Sequence, residues 1–190
     1  MRRLTGILMV LLAVPCAAQV NYDTVQVRVV PVSGNVYMLQ GSGGNIGLAV
    51  GDDAVFVVDD QFAPLTRKIL TAIATVTPKP VRFVVNTHWH SDHVGGNENL
   101  GPMGAGALIY AHENVRKRMS VGGFIEYLKA QVDPFPPSAL PVVTFTDAIA
   151  FNINGDSVGV FHVPPAHTDG DAIIYFAKAN VVHMGDTFHN

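Results

Sequence analysis

The most informative part of this 190-residue chain is Asn86-Thr87-His88-Trp89-His90-Ser91-Asp92-His93. It places three imidazoles and one carboxylate within six residues. The segment directly follows Val81–Val85, a run that is apolar except for Arg82 and predicts a buried strand. Side chains at the end of a rigid strand are held at fixed positions, as a metal site requires. We therefore predict a metal centre at the end of this strand.

The spacing within the segment favours two adjacent metals. His88 and His90 are two residues apart, so in an extended backbone their side chains point to the same side and can share one metal. Asp92 and His93 come after a predicted turn and can reach a neighbouring point. Imidazole nitrogen combined with carboxylate oxygen favours Zn²⁺, with iron or manganese as the next choices.

Two further candidate ligands lie downstream near the ends of predicted strands. His167 follows the strand predicted for residues 157–163, and Asp186 follows the strand predicted for residues 181–184. A carboxylate can bridge two cations and reduce their mutual repulsion. Capping or packing roles are expected for three other histidines: His112, His162 and His183.

These motifs resemble those of a known family. The run from His88 to His93 resembles the HxHxDH motif of the metallo-β-lactamase superfamily. His167-Thr168 and Gly185-Asp186 resemble its next two ligand motifs, in the same order, and Asp59 resembles its early supporting aspartate. The resemblance covers nearly all of the chain after its first twenty residues. It implies an α+β fold, the αββα sandwich of that superfamily.

The resemblance also implies roles for individual residues. The first metal would be held by three imidazoles, those of His88, His90 and His167. The second would be held by Asp92 and His93, with Asp186 between the two metals. Two side chains, Asp59 and Thr168, would support these ligands from behind.

The superfamily places one more ligand histidine late in its C-terminal part. Here only His189 follows Asp186, three residues on, and we do not expect it to be that ligand. The sequence also lacks the last strands and helices of the expected sandwich. We therefore expect the domain, residues 19–190, to be incomplete at its C-terminal side.

The predicted activity follows from such a site. Two cations lower the pKa of a shared water, giving a hydroxide that attacks an ester, lactone, thioester or β-lactam-type amide. Asp92 is the predicted catalytic residue, because it can orient the nucleophile and pass a proton to the leaving group. One subclass of zinc β-lactamases has cysteine where this chain has Asp186, and others lack a bridging carboxylate. Asp186 instead resembles the pattern of glyoxalase II and lactonases, which argues against a true β-lactamase.

Two alternatives stay open at this point. Some members of the superfamily with the same first motif are mononuclear iron dioxygenases that act on persulfides. The chain could also be an inactive zinc-binding fragment, because missing strands would expose sheet edges and apolar faces. Metal analysis separates two zincs from one iron.

The first 18 residues predict a signal peptide. Arg2 and Arg3 precede a short apolar run at residues 4–14, and Cys16-Ala17-Ala18 offers small residues for cleavage after Ala18. Cleavage would place the protein in the periplasm or outside the cell, without stable membrane insertion. Modification of Cys16 as a lipoprotein and an uncleaved anchor are the alternatives.

Composition excludes several other classes. Charged residues make up 14% and hydrophobic residues 48%, which is typical of a chain that forms a core. The net charge is −3, and the basic run Arg116-Lys117-Arg118 predicts only the solvated face of a helix. The sequence therefore predicts no nucleic-acid partner, and the family resemblance implies a small-molecule substrate.

The remaining pattern is typical of strands and helices in alternation. Residues 36–58 predict an antiparallel meander, and residues 64–76 predict a helix. Residues 122–137 are expected to form a helix followed by a loop. The strands predicted beyond residue 142 include a hairpin whose turn is Asn154-Gly155-Asp156.

Overall fold

The computed structural model of the protein describes residues 20–125 and 129–188. The predicted signal peptide and His189 lie outside these residues, and both stay predictions. The described residues form thirteen strands: β1 (Arg28–Ser33), β2 (Val36–Gln40), β3 (Ile46–Val50), β4 (Val55–Val58), β5 (Val81–Val85), β6 (Leu108–His112), β7 (Gly123–Ile125), β8 (Ala130–Val132), β9 (Val143–Phe145), β10 (Ala148–Ile153), β11 (Asp156–His162), β12 (Ala172–Phe176) and β13 (Val181–His183). They also form four α-helices: α1 (Thr66–Ala74), α2 (Ser91–Val94), α3 (Asn97–Leu100) and α4 (Glu113–Val121).

The strands are arranged in two main sheets. The larger sheet has the order β1-β2-β3-β4-β5-β6-β9, and the smaller has the order β10-β11-β12-β13. Strands β2, β3 and β4 pair antiparallel, which confirms the predicted meander. Strands β4, β5, β6 and β9 pair parallel, so their carboxyl ends lie at the same edge of the sheet. Asp59, the metal-ligand segment and His112 are all at this edge.

Helices and sheets pack in layers. Helix α1 covers one face of the larger sheet. Its Ile69 and Ile73 belong to the same buried hydrophobic cluster as Val57 of β4. The opposite face packs on the smaller sheet, where the ring of Phe56 lies 6.0 Å from that of Phe176. This arrangement confirms the predicted α+β layering.

Helix α1 is shorter than predicted. A 3-10 turn at Ala63–Leu65, with Pro64 inside it, precedes the first α-helical residue Thr66. Proline suits this position because the backbone amides of a first turn have no acceptor within the helix. The absence of an amide hydrogen therefore removes no hydrogen bond. Within the described residues, no helix has the length and apolar composition that a bilayer crossing requires.

The prediction for residues 122–137 is wrong in its first half. Strands β7 and β8 form an antiparallel hairpin there, with Gly123 opposite Val132. Helix α4 ends at Gly122, whose φ of 68° lies in the left-handed region that glycine tolerates. The chain therefore leaves α4 at Gly122 and continues as strand β7.

The turn between β10 and β11 joins the two sheets at one end. Asn154 Oδ1 accepts hydrogen bonds from the amides of Asp53 and Ala54, both at 3.1 Å. Its Nδ2 donates to the Ala54 carbonyl at 2.9 Å, and its amide donates to Asp53 Oδ2 at 2.6 Å. The φ of Asn154 is 56°, a left-handed conformation that asparagine adopts more readily than most residues. The predicted turn is thereby confirmed.

Replacing Asn154 should loosen the contact between the sheets. Asn154→Ala removes three side-chain hydrogen bonds and places alanine at a left-handed φ, so we expect the free energy of unfolding to fall by about 2 kcal/mol. Urea denaturation measures this change. The matched control is Asn152→Ala, an exposed position on β10. An equal effect of the two substitutions would contradict the role of Asn154.

His112 has the capping role that the sequence predicted. Its Nδ1 accepts from the Asn114 amide at the start of α4, and its ring stacks on that of His162 at 3.8 Å. Burial and the neighbouring His162 lower the pKa of His112, although Glu113 and Asp169 act in the opposite direction. The imidazole of His112 is therefore neutral in the folded protein at neutral pH.

This lowered pKa predicts a loss of stability in mild acid. The unfolded chain has an ordinary histidine pKa of 6.5 at this position, so it binds a proton before the folded chain does. The free energy of unfolding should therefore fall as the pH falls below about 6.5. His112→Asn keeps a capping oxygen but does not titrate, so its decline, measured by urea unfolding from about pH 7.5 to about pH 5, should be smaller. Parallel declines in the two proteins would refute this account.

Candidate metal centre

The segment after β5 turns sharply instead of continuing as extended chain. Residues 87–89 form a bend, and α2 begins directly after His90. The expectation that His88 and His90 share a side because of an extended backbone is therefore wrong in its geometry. Their rings nevertheless lie 4.8 Å apart, because the bend folds the chain around a common point.

The first group of candidate ligands is His88, His90 and His167. Their ligand atoms all lie within 4.8 Å of one another. His88 and His90 are buried, whereas His167 is half-buried. His90 Nδ1 lies 2.9 Å from His167 Nε2, so these two nitrogens face each other. The structure thus brings together the three imidazoles that the family resemblance assigns to the first metal.

The second group contains His88, His93 and Asp186, again within 4.8 Å. Asp92 Oδ2 lies 3.5 Å from His93 Nε2, at the edge of this group. Asp186 lies 3.1 Å from His93 Nε2 through one oxygen and 3.7 Å from His167 Nε2 through the other. Asp186 therefore occupies the space between the two groups, and His88 belongs to both.

The buried carboxylate of Asp59 organises the segment from behind. Asp59 Oδ1 accepts from the Thr87 amide, and its Oδ2 accepts from the Thr87 hydroxyl, both at 2.7 Å. The same Oδ2 lies 2.7 Å from His93 Nδ1. Asp59 is fully buried and has a φ of 61°, so the end of β4 holds it in an uncommon conformation directly behind the candidate ligands.

These contacts fix which nitrogen carries the proton when each ring is neutral, as a metal ligand must be. The single proton of the Thr87 hydroxyl goes to Asp59, so that hydroxyl can only accept from His88 Nδ1, 3.0 Å away. His93 Nδ1 likewise donates to Asp59. The Nε2 atoms of His88 and His93 are then the ones left for a cation, which is the tautomer that a metal ligand needs.

The charges around the two groups differ. Burial lowers the pKa of His93, but the charge of Asp59 and the hydrogen bonds with Asp186 and Asp59 outweigh it and raise the pKa to about 10. Burial, followed by the neighbouring His167, lowers the pKa of His90 to about 4. Carboxylates therefore stabilise positive charge at the second group. Clustered imidazoles and carboxylates of this kind fit a bound transition-metal ion.

Thr168, the second predicted supporting residue, is placed differently from Asp59. Its hydroxyl donates to Asp171 Oδ1 at 2.5 Å. Its link to the metal centre therefore runs through the backbone of the loop that carries His167. The family resemblance had assigned Thr168 a more direct role behind the ligands.

Glycines at the site have a function that the sequence analysis missed. The turn between β2 and β3 passes so close to the metal centre that a Cβ on Gly44 would overlap the His93 ring. A Cβ on Gly43 would lie 2.7 Å from that of Asp92. Composition alone suggested only a turn here. This turn is in fact one wall of the site.

Two polar contacts that close the ligand segment were also missed. The buried side-chain amides of Asn86 and Asn97 each donate to the other's oxygen, at 3.1 and 2.9 Å. These bonds join the start of the segment to the helix that follows it. Asp60 binds its later part: its amide donates to the His93 carbonyl at 2.9 Å, and its Oδ1 accepts from the Gly96 amide at 2.8 Å. The only sequence signal for these roles is the presence of polar residues beside apolar strands.

Two clefts meet at the metal centre. One, of about 600 Å³, contains His90 and His167 and is walled by Trp89 and the half-exposed ring of Phe124. The other, of about 660 Å³, is lined by Asp92, His93, Asp186 and the glycine turn. A small molecule in either cleft would contact the candidate ligands.

Comparison with known proteins is consistent with this geometry. Residues 30–190 match the sequence profile of the family described as the metallo-beta-lactamase superfamily. A hydroxyacylglutathione hydrolase of Gloeobacter violaceus is 29% identical over 147 residues, which are 73% of this chain and 50% of that protein. The 2,4-dinitroanisole O-demethylase subunit alpha of Nocardioides sp. (strain JS1661) is 25% identical over 162 residues, 83% of this chain and 45% of that protein. The chain thus spans about half the length of these curated relatives.

Solved structures share the fold at lower identity. A beta-lactamase from Chitinophaga pinensis superposes with a TM-score of 0.70 and 18% identity, covering 86% of this chain and 62% of that one. A class B3 di-zinc metallo-beta-lactamase from an Alaskan soil metagenome gives a TM-score of 0.69 and 19% identity, covering 85% and 61%. At such identities the likeness concerns the fold alone, and it confirms the predicted sandwich.

Asp59→Asn should weaken the second group of ligands more than the first. Asparagine has one acceptor oxygen, which the Thr87 amide occupies, and it turns an N–H toward His93 Nδ1. His93 would then carry its proton on Nε2, the atom that faces Asp92 and Asp186. In a zinc titration against a competing chelator, we expect the zinc affinity of the second ligand group to fall by about 10- to 100-fold.

The matched control for this experiment is Asp133→Asn, at an exposed position outside the metal centre. It should leave the zinc affinities of both ligand groups unchanged. If Asp59→Asn lowered the two affinities equally, Asp59 would act on the fold in general and not on His93.

Proposed function

Because this chain belongs to the metallo-beta-lactamase superfamily, we propose that it is a metal-dependent hydrolase acting on the acyl bonds of small molecules. The position of Asp186 carries the proposal. Its two oxygens lie 3.1 Å from His93 Nε2 and 3.7 Å from His167 Nε2. A carboxylate so placed can contact two cations at once, which supports a paired centre.

The proposed ligands form two sets. The first contains His88, His90 and His167, and the second contains Asp92 and His93, with Asp186 between the two sets. Zn²⁺ is the cation that this mixture of imidazole and carboxylate favours, with iron or manganese as alternatives. When bound, such a pair supplies a water of lowered pKa and polarises the acyl oxygen of the substrate.

Asp92 is the residue we assign to proton transfer. Its side chain is 31% exposed, at the cleft, and its Oδ2 lies 3.5 Å from His93 Nε2. A carboxylate in this position orients the attacking water and accepts its proton. It then delivers the proton to the leaving oxygen, sulfur or nitrogen. Asp92 therefore acts both as ligand and as acid–base group.

The bond we propose as substrate is an ester, lactone or thioester in preference to a β-lactam amide. A bridging aspartate resembles the pattern of glyoxalase II and lactonases. The match to a hydroxyacylglutathione hydrolase, whose name denotes a thioester substrate, supports the same class. The apolar wall formed by Trp89 and Phe124 suits the carbon chain of an acyl group.

Metal analysis combined with a substrate panel tests the proposal. The purified protein should contain about two zinc ions per chain and should hydrolyse an S-acyl glutathione thioester, a phenyl ester or a lactone faster than a cephalosporin. His88→Ala removes one of the three imidazoles of the first set, so we expect turnover to fall at least 100-fold. Asp92→Asn should reduce kcat by about 100- to 10,000-fold. His112→Asn is the histidine control outside the centre.

Several results would overturn the proposal. Turnover that is unchanged in His88→Ala would exclude the centre from the reaction. One iron per chain together with oxygen consumption on a persulfide would establish the dioxygenase alternative. Protein that folds but binds no transition metal would refute the proposed centre altogether.

A further inference from the structure

His167 is the one member of the first ligand group that does not come from the segment after β5. It lies in the loop between β11 and β12, which belongs to the smaller sheet. The loop begins at Val163, and its Pro164 and Pro165 are exposed, so the apolar core does not hold this part of it. Asp169 ties the far end of the loop to α4, where Asn114 Nδ2 donates to the Asp169 carbonyl at 2.8 Å and Arg118 pairs with the Asp169 carboxylate. The backbone of His167 itself is held by polar contacts within the loop.

Those contacts converge on the carboxylate of Asp171. Its Oδ2 accepts from the amides of His167 at 2.7 Å and Thr168 at 2.8 Å. Its Oδ1 accepts from the Thr168 hydroxyl at 2.5 Å. Asp171 is only 2% exposed, so these hydrogen bonds have little competition from water.

The backbone of Asp171 is itself firmly held. Its carbonyl accepts from the Val163 amide at 3.0 Å and lies 2.9 Å from His162 Nδ1. The next amide, that of Ala172, donates to the Thr87 carbonyl in the metal-ligand segment at 2.9 Å. Asp171 therefore joins three parts of the structure: the start of β12, the His167 loop and the segment that carries His88.

We propose that Asp171 is the positioning residue for His167, setting the affinity of the first ligand group for its metal. The inference rests on the metal centre of the proposed function but not on any particular substrate. Without the carboxylate, the amides of His167 and Thr168 lose their acceptor, and the loop has to open toward water to satisfy them. The imidazole of His167 would then no longer be held beside His88 and His90.

Three substitutions separate this role from general loss of stability. Asp171→Ala removes every side-chain contact. Asp171→Asn keeps one oxygen for the two amides and can donate to the Thr168 hydroxyl, so it should restore most of the function. Asp169→Ala is the matched control, because Asp169 is an acid of the same loop whose side chain pairs with Arg118.

Metal titration provides the first measurement. In a zinc titration against a competing chelator, Asp171→Ala should lower the affinity of the first group by about 10- to 100-fold. The affinity of the second group should change much less. Asp171→Asn and Asp169→Ala should remain close to the unaltered protein. Thr168→Val, which removes one of three donors, should have a small effect of the same sign.

Hydrogen exchange in the metal-free protein provides a second measurement that needs no activity. The backbone amides of residues 166–171 should exchange faster in Asp171→Ala, while those of α1 keep their protection. Unchanged exchange together with unchanged affinity would overturn the proposal. Equal loss of both metals and faster exchange throughout would also overturn it, because Asp171 would then be purely structural. If Asp171→Ala does not fold, the Asp171→Asn and Thr168→Val titrations decide.

The two proposals fail in different ways. A protein that binds two metals but hydrolyses no member of the substrate panel refutes the proposed activity, and the Asp171 titration can still succeed. If the protein is a hydrolase but Asp171→Ala leaves the metal affinity of its first ligand group unchanged, only the positioning role is refuted. Absence of metal binding in the unaltered protein refutes both.

Discussion

The carboxylate of Asp59 is the constraint on which the rest of the site depends. It is fully buried, and the hydroxyl and amide of Thr87 and the ring of His93 all bind it. A buried charge of this kind is tolerated only where enough donors surround it. The same donors belong to the segment that presents the candidate ligands. This one carboxylate thus fixes the conformation of the segment and the tautomers of two imidazoles, and it contributes negative potential that attracts a cation.

The parallel part of the larger sheet explains why these groups meet. Parallel strands have their carboxyl ends at one edge, so Asp59 after β4 and the segment after β5 become neighbours although 27 residues separate the end of one strand from the end of the other. The smaller sheet contributes His167 and Asp186 from two loops that open toward the same edge. The candidate ligands are therefore concentrated at the junction of the two sheets, where regular elements hold side chains in place beside an open cleft.

Much of this could be predicted from local sequence, because the motif from His88 to His93 is dense and follows a clear strand. His167 and Asp186 were identified through their order in a family pattern, and the structure brings both to the motif. Asp60, Asn97 and the walls formed by Gly43 and Gly44 were missed. Their roles depend on contacts between residues far apart in the chain. The spacing of apolar and polar residues along a sequence does not predict such contacts. The hairpin at β7 and β8 was missed for a similar reason, since its short strands are specified by their pairing and by Gly122.

The first ligand group draws two imidazoles from the larger sheet and one from the smaller. An ion bound there would add a further link between layers that are already joined by apolar contacts, the Asn154 turn and the hydrogen bond from the Ala172 amide to the Thr87 carbonyl. Ligation and folding would then be thermodynamically linked, since the ion binds only the assembled sandwich. Supply of that ion in the surroundings would accordingly influence how long the protein resists heat and proteases, quite apart from its effect on turnover.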